Sequence, residues 1–369
     1  DLDGNEYIDL GTGISVTSLG HQDPEITAAL LEQARKLWHT SNIYWNEPSI
    51  RLAEELVAAA PFAERVFFCN SGAEANEAAI KLARKWSSLS FPPDKREIIT
   101  FQGSFHGRTL TTVTATAQPK YHQGFEPLPG GFSYCPFNDF EAIEGMICER
   151  TCAVLVEPIQ GEGGIVPAAE GFLKHLRQLC DRHQALLIFD EVQCGMGRTG
   201  RLFAHQWEAG VEPDVLTLAK ALGNGFPIGA MLTASRVAQV LGFGSHGSTF
   251  GGSPMGAAVA RVVLAKLRSP QLLDHVQAQG EALRQRLTAI NESLEMFNQI
   301  RGRGLMVGAV LRNSWKGRAG ELTELARTHG VLVLQAGPDV LRFLPPLSLT
   351  DEELDQGMER LLAALKAAG

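Results

Sequence analysis

The 369-residue chain has little of what would direct it to a membrane or a nucleic acid. No apolar run approaches the roughly 20 residues that a membrane-spanning helix needs. Lys and Arg total 33 against 41 Asp and Glu, a formal charge of −8, so no basic stripe is available to a phosphate backbone. Cys69, Cys135, Cys148, Cys152, Cys180 and Cys194 are scattered and match no zinc spacing. A chain of this length needs no disulfide staples, so they read as buried thiols in a reducing cytoplasm. The chain shows neither a signal-peptide pattern nor an initial methionine; Asp1 lies in a strand-like segment, and an N-terminal piece is expected to precede it. Repeats and low-complexity tracts are also missing. With 44% hydrophobic and 20% charged residues, what is there is an ordinary globular composition, long enough for a large core in two or more lobes.

The stretch from Leu186 to Lys220 organises the rest. It opens on an apolar run ending in Asp190 and Glu191 and closes on Val215-Leu216-Thr217-Leu218, which ends at Lys220. Both runs have the length and composition of buried strands. Ligands of open parallel sheets sit at the carboxyl ends of the strands, so an acid and a lysine there can face one cavity. A lysine freed of its ammonium charge by burial forms an imine with a carbonyl cofactor. Pyridoxal phosphate is such a carbonyl, and a buried aspartate facing its ring nitrogen keeps that nitrogen protonated. Asp190 and Lys220 fit these roles as a pair; either alone reads equally as a loop acid or a solvated lysine. Gly195-Met196-Gly197-Arg198-Thr199-Gly200 matches the dinucleotide fingerprint G-x-G-x-x-G, but no clear helix or βαβ unit follows it, which argues against a nicotinamide site.

Other segments supply a rim. Val66–Cys69 reads as a strand running into Asn70-Ser71-Gly72-Ala73 and a helix with Ala75, Ala79, Leu82 and Trp86 on one face. Such a turn offers backbone N–H groups and a hydroxyl to a phosphate, or serves simply as an N-cap. Strand 97–101 leads to the loop 103–109, where Phe105 suits ring stacking and Arg108 a carboxylate, or where both merely pack. Strand 152–156 ends at Glu157 and Glu162. Gly247-Ser248-Thr249-Phe250-Gly251-Gly252 is a further hydroxyl-rich cluster. The segment 39–50, polar and aromatic together, either lines a site or packs Tyr44 and Trp45. A helix is expected from the Asp23-Pro24 signal to about Leu37, and another from about Gly171 to His183. Strands alternating with helices from 66 to 234 indicate an α/β domain with a mostly parallel sheet. From about residue 256 the pattern changes to long helices, clearest at Val276–Leu294. Short strands at 305–310, 331–334 and 342–343 and a terminal helix after Thr350 follow. We expect an N-terminal segment, 1–30, contributing to the smaller domain, a large cofactor-binding domain, 31–255, and a smaller α+β domain, 256–369.

Together these motifs resemble the class III aminotransferases over the whole chain. LLIFDEVQCGMGRTG followed by LTLAKALGNGFPIGA is similar to that class's cofactor signature; NSGAEANEAAIKLARKW, SFHGRT, VEPIQGEGG and HGSTFGG look most like its acetylornithine branch. The resemblance implies pyridoxal-phosphate fold type I, with a mostly parallel seven-stranded sheet in the large domain. It also implies a homodimer with shared active sites. Lys220 would hold pyridoxal phosphate covalently and shuttle the substrate proton, with Asp190 on the ring nitrogen, Gln193 on the phenolic oxygen and Phe105 stacked on the ring; Val192 would also bind the cofactor. Ser71, Gly72 and Ala73 would bind the phosphate, and Thr249 would reach in from a second subunit beside Ser248. Arg108 would grip the donor's α-carboxylate. Glu162 and Arg342 resemble a switch pair, joined for the amino donor and parted so that Arg342 binds 2-oxoglutarate. No metal site is expected.

The implied reaction converts N2-acetyl-L-ornithine and 2-oxoglutarate to N-acetyl-L-glutamate 5-semialdehyde and L-glutamate, a step of arginine biosynthesis. Succinylornithine, succinyldiaminopimelate and ornithine are alternative donors. The ornithine branch has a tyrosine where this chain reads Gly13-Ile14-Ser15, and Ile14 cannot hydrogen-bond a free α-amino group, which favours an N-acylated substrate. Trp45 stands where the acetylornithine pattern usually carries a small residue. A pyridoxal-phosphate lyase or isomerase would use the same cup without needing the switch pair, and a non-catalytic binding protein would not need Lys220.

Overall fold

A computed structural model describes residues 1–369. Its centre is a seven-stranded sheet in the order Ala63–Cys69, Gly229–Ala234, Val215–Leu218, Leu186–Asp190, Thr151–Val156, Glu97–Phe101 and Phe132–Cys135. Gly229–Ala234 is antiparallel to both neighbours and every other pairing is parallel. The two middle strands, Thr151–Val156 and Leu186–Asp190, are buried at every position. Their continuous apolar runs follow from burial on both faces: Val154, Val156, Leu187 and Phe189 enter one core, and Ala153, Leu155, Leu186 and Ile188 enter the other. The Gly72–Ser90 helix covers the second face with a stripe of Ala75, Ala78, Ala79, Leu82 and Ala83, small enough to bring its axis close to the sheet.

A second sheet, antiparallel, runs Phe297–Arg303, Met306–Leu311, Val340–Phe343, Leu334–Gln335. The N-terminal strand Ile8–Asp9 pairs with Val331–Leu332, and Leu344 N–H donates to Leu10 O at 2.7 Å, so the first residues fold with the last third of the chain. No helix is long and apolar enough to cross a membrane.

Several boundaries differ from expectation. The Pro24–Ala34 helix, capped by Asp23, stops short of Leu37. There Gln33 and Trp38 side chains donate to Leu37 O and Ala34 O, taking up carbonyls as the chain turns away. The expected strand 331–334 is two strands in different sheets, broken at Val333. The helices Glu47–Ala59, Leu110–Ala115 and Phe140–Met146 and the strands Phe132–Cys135 and Phe297–Arg303 had no counterpart in the sequence reading.

The glycine-rich loop after Asp190 is a packing device. Arg198, fully buried, donates to Leu305 O, Pro345 O and Ser18 Oγ, joining this loop to the C-terminal sheet and the N-terminal segment. No carboxylate faces it, and burial pulls its pKa down to about 9. Beside it Gly304, at φ +50°, touches the Thr199 backbone, and Gly280 of the Pro270–Leu294 helix packs onto Gly304 itself. A Cβ at Gly280 would lie 2.1 Å from Gly304 O. Backbone meets backbone there and neither can yield, so Gly280→Ala should cost about 1–3 kcal/mol, read as a lower denaturation midpoint.

Candidate functional site

The parallel strands deliver their carboxyl ends to one cavity of about 400 Å³. Ser71, Gly72, Ala73, Phe105, Arg108, Asp190, Val192, Gln193 and Lys220 all line it. These nine candidates come from four separate segments.

Asp190 closes its strand with the carboxylate 3% exposed. Its Oδ2 accepts from Asn76 Nδ2 at 2.7 Å and His106 Nδ1 at 2.8 Å, and its Oδ1 from Val192 N–H at 3.0 Å. His106 must carry its proton on Nδ1, because an ionised carboxylate only accepts. Asn76 is oriented in turn: Thr217 Oγ1 donates to its Oδ1 at 2.8 Å, which turns its amide nitrogen to Asp190 and to His106 O. None of Asn76, His106 and Thr217 was assigned a role from the sequence. The available signal was Asn76 itself, a polar residue on the inward face of an alanine-rich helix.

Lys220 follows the next strand at φ +41°, a left-handed conformation that few side chains adopt. Desolvation lowers its amine to about 8, with Arg342 pushing the same way and Glu162, Asp190 and Glu157 pulling back. Glu157, which accepts from Phe105 N–H at 2.9 Å and Gly161 N–H at 3.2 Å, is raised to about 7 by burial, against the pull of His106 and with the push of Asp190.

Glu162 and Arg342 do not line the cavity, but both bind Gln193, which does: Arg342 donates to Glu162 and, at 3.2 Å, to Gln193 Oε1, while Gln193 Nε2 donates to Glu162 at 3.4 Å. Burial alone would raise Glu162, but Arg342 more than offsets it and the carboxylate stays below its ordinary value.

Ser71 caps the Gly72–Ser90 helix by accepting from Glu74 N–H at 3.2 Å. The first N–H groups of a helix have no partner within it, and the first two residues of this one, Gly72 and Ala73, line the cavity. The approach is tight: a Cβ at Gly72 would lie 2.7 Å from Val192 Cγ1, and one at Gly229 2.6 Å from Ser71 O.

Ser248 and Thr249 do not line this cavity. Thr249 is exposed, and Ser248 Oγ accepts from Asn70 Nδ2 at 3.0 Å and Gly251 N–H at 3.1 Å. Glu191, next to Asp190, points the other way: it accepts from the backbone of Ala204 and His205 and from His205 Nδ1 at 2.7 Å. All six cysteines are free.

This donor set fits pyridoxal phosphate: a desolvated amine for an aldehyde, an ionised carboxylate for a pyridinium, a helix N-terminus for a phosphate and an aromatic face for a ring. Comparison with known proteins agrees. The family model for aminotransferase class-III matches residues 1–365. The acetylornithine aminotransferase of Xanthomonas campestris pv. campestris is 62% identical over 369 residues, which are 100% of this chain and 90% of that protein. The succinylornithine transaminase/acetylornithine aminotransferase of Pseudomonas aeruginosa is 52% identical over 99% of this chain and 89% of its own. The crystal structure of N-acetylornithine aminotransferase from Stenotrophomonas maltophilia superposes with a TM-score of 0.88 at 53% identity, covering 99% of this chain and 92% of that one.

Proposed function

The chain belongs to the class III aminotransferases, and from that premise we propose that it moves the distal amino group of N2-acetyl-L-ornithine to 2-oxoglutarate, giving N-acetyl-L-glutamate 5-semialdehyde and L-glutamate. The observation that carries this reading is the Arg342–Glu162 pair, which does not itself line the cavity but is hydrogen-bonded through Gln193 to the wall that also carries Lys220 and Asp190. A transaminase must admit a donor and a dicarboxylate to one site, and an arginine that can be covered or bared by an acid solves that charge problem. A lyase or isomerase needs no such pair.

Lys220, Asp190, Gln193, Phe105, Val192 and the Ser71–Ala73 turn would hold pyridoxal phosphate. When bound, the cofactor supplies the electron sink that lets an amino-bearing carbon lose a proton. Lys220 Nζ takes that proton and returns it. Asp190 keeps the ring nitrogen protonated, and Arg108 holds the donor's α-carboxylate so that only the distal amine reaches the floor of the cavity.

We propose a homodimer whose partner supplies Thr249 to the phosphate. In support, Thr249 is exposed beside Phe250, 64% exposed, and the segment Ile43-Tyr44-Trp45 is 79%, 69% and 88% exposed. So much apolar surface in one region marks an interface.

Adding N2-acetyl-L-ornithine to the cofactor-loaded enzyme should bleach its visible absorbance within one turnover, and 2-oxoglutarate should restore it. An unchanged spectrum would reject the donor, and faster bleaching by free ornithine would reassign it. Glu162→Gln removes the charge that pairs with Arg342 and leaves it only neutral acceptors, the new amide and Gln193 Oε1. The KM for 2-oxoglutarate should then fall by about threefold to tenfold while the donor's kcat/KM drops, since a charge-assisted hydrogen bond of about 1 kcal/mol no longer competes. Steady-state kinetics on both half-reactions measure the two effects.

A further inference from the structure

Arg108 is exposed at the cavity mouth, and no carboxylate of the chain pairs with it. Its guanidinium lies instead over the Tyr121 ring, 3.9 Å from the centroid, with Phe105 more distant at 5.3 Å. Tyr121 stands edge-on to Phe105, the centroids 5.9 Å apart and the planes at 84°. The turn Pro119–Tyr121 that carries the ring is fixed on both sides. Gln118 Nε2 donates to Ser104 O at 2.9 Å, on the loop that bears Phe105 and Arg108. His122 Nε2 bonds Val113 O and Thr116 O at 2.9 and 2.7 Å, at the end of the neighbouring helix. Lys120 stands 4.7 Å from the same ring but does not line the cavity.

We propose that Tyr121 is a positioning residue for Arg108, a rigid plate that takes the place of a counter-ion. A carboxylate partner would hold the arginine equally still, but it would neutralise the charge and occupy the fork that the substrate needs. An aromatic face fixes the guanidinium plane and leaves its edge donors free. The ring also selects the substrate: a planar, bidentate carboxylate gains from an arginine already immobilised, and a neutral or singly bonding group does not. The proposal rests on the reading of Arg108 as the carboxylate-binding residue.

The test uses cofactor-loaded enzyme and the variants Tyr121→Leu, Tyr121→Met, Tyr121→Phe and Arg108→Leu, with Tyr121→Leu also made in the Arg108→Leu background. Tyr121→Leu and Tyr121→Met, the latter filling the volume without a ring face, should each raise the donor KM about tenfold, with kcat changed far less. Tyr121→Phe should stay within about twofold, since the face and not the hydroxyl does the holding. In the Arg108→Leu background Tyr121→Leu should add nothing. Binding of glutarate, an unreactive dicarboxylate, should weaken in parallel by calorimetry. A Tyr121→Leu enzyme with unchanged KM beside an impaired Arg108→Leu enzyme would overturn the plate alone. An unimpaired Arg108→Leu enzyme would overturn both the plate and the reading of Arg108. Failure of Tyr121→Phe to match the parent would move the role to the hydroxyl and reject the proposal.

Discussion

Lys220→Ala should lower the rate of single-turnover transamination by on the order of 10⁴-fold or more, because in the proposed mechanism one substitution removes both the amine that would hold the cofactor and the group that would move the proton. Lys220→Arg should fare no better: a guanidinium of similar reach stays protonated throughout the working pH range and cannot act as a base. A Lys220→Ala enzyme retaining activity within a hundredfold of the parent would assign the chemistry to another residue. The same lysine predicts a pH dependence. Desolvation brings the amine to about 8, so it is charged below that pH and free above it. The rate at which added pyridoxal phosphate is captured should therefore rise with pH and level off above about 8, whereas a solvated lysine would still be gaining at pH 10. The sign for stability follows from the same shift. Between about 8 and the ordinary value of 10.5 the unfolded chain binds the proton and the folded chain does not, so the cofactor-free protein gains stability as pH rises through that window. Stopped-flow capture and denaturation at stepped pH measure the two.

Lys220 and Asp190 were legible because each ends a strand buried on both faces, where an unbroken apolar run gives way abruptly to a charge. The Ser71–Ala73 turn was legible as a helix cap for a similarly local reason, its small hydroxyl-bearing residues standing between a strand and a helix. What orients these groups was not legible. Asn76 meets Asp190 across 114 residues and Thr217 meets Asn76 across 141, and nothing near Asn76 in the chain announces either partner. The plate under Arg108 depends on how the Pro119–Tyr121 turn folds back over the loop 103–109. Among the elements, Phe297–Arg303 escaped notice because its outer positions are exposed or half-buried and it carries Gly302 and two arginines, which blur a strand's alternation. The Glu47–Ala59 helix was hidden behind an aromatic, polar lead-in whose apolar side chains remain exposed on this chain. Propensity and periodicity describe an element's own burial; they are silent on apolar side chains that its fold leaves exposed.

Asp190→Asn is nearly isosteric, yet it should cost on the order of 10²- to 10³-fold in kcat and weaken retention of pyridoxal phosphate in parallel. Two separate losses add. The first is electrostatic, because an amide has no charge with which to keep a proton on the ring nitrogen. The second lies in the surrounding hydrogen bonds. Asn76 Nδ2, His106 Nδ1 and Val192 N–H all donate to this one carboxylate, and only an acceptor-only group satisfies them together. An asparagine must turn its own NH2 towards one of those donors, leaving a buried pair of hydrogens opposed, at about 1–3 kcal/mol of stability. Thr217→Val separates the two losses. It keeps the charge and removes only the hydroxyl that holds the Asn76 amide in register, so it should cost about 1 kcal/mol in the melt and much less in kcat. Single-turnover rates, cofactor dissociation followed by absorbance and melts of the cofactor-free protein resolve each part. Should Asp190→Asn turn over within tenfold of the parent, the carboxylate is a structural acceptor for three donors and the ring nitrogen takes its proton from elsewhere.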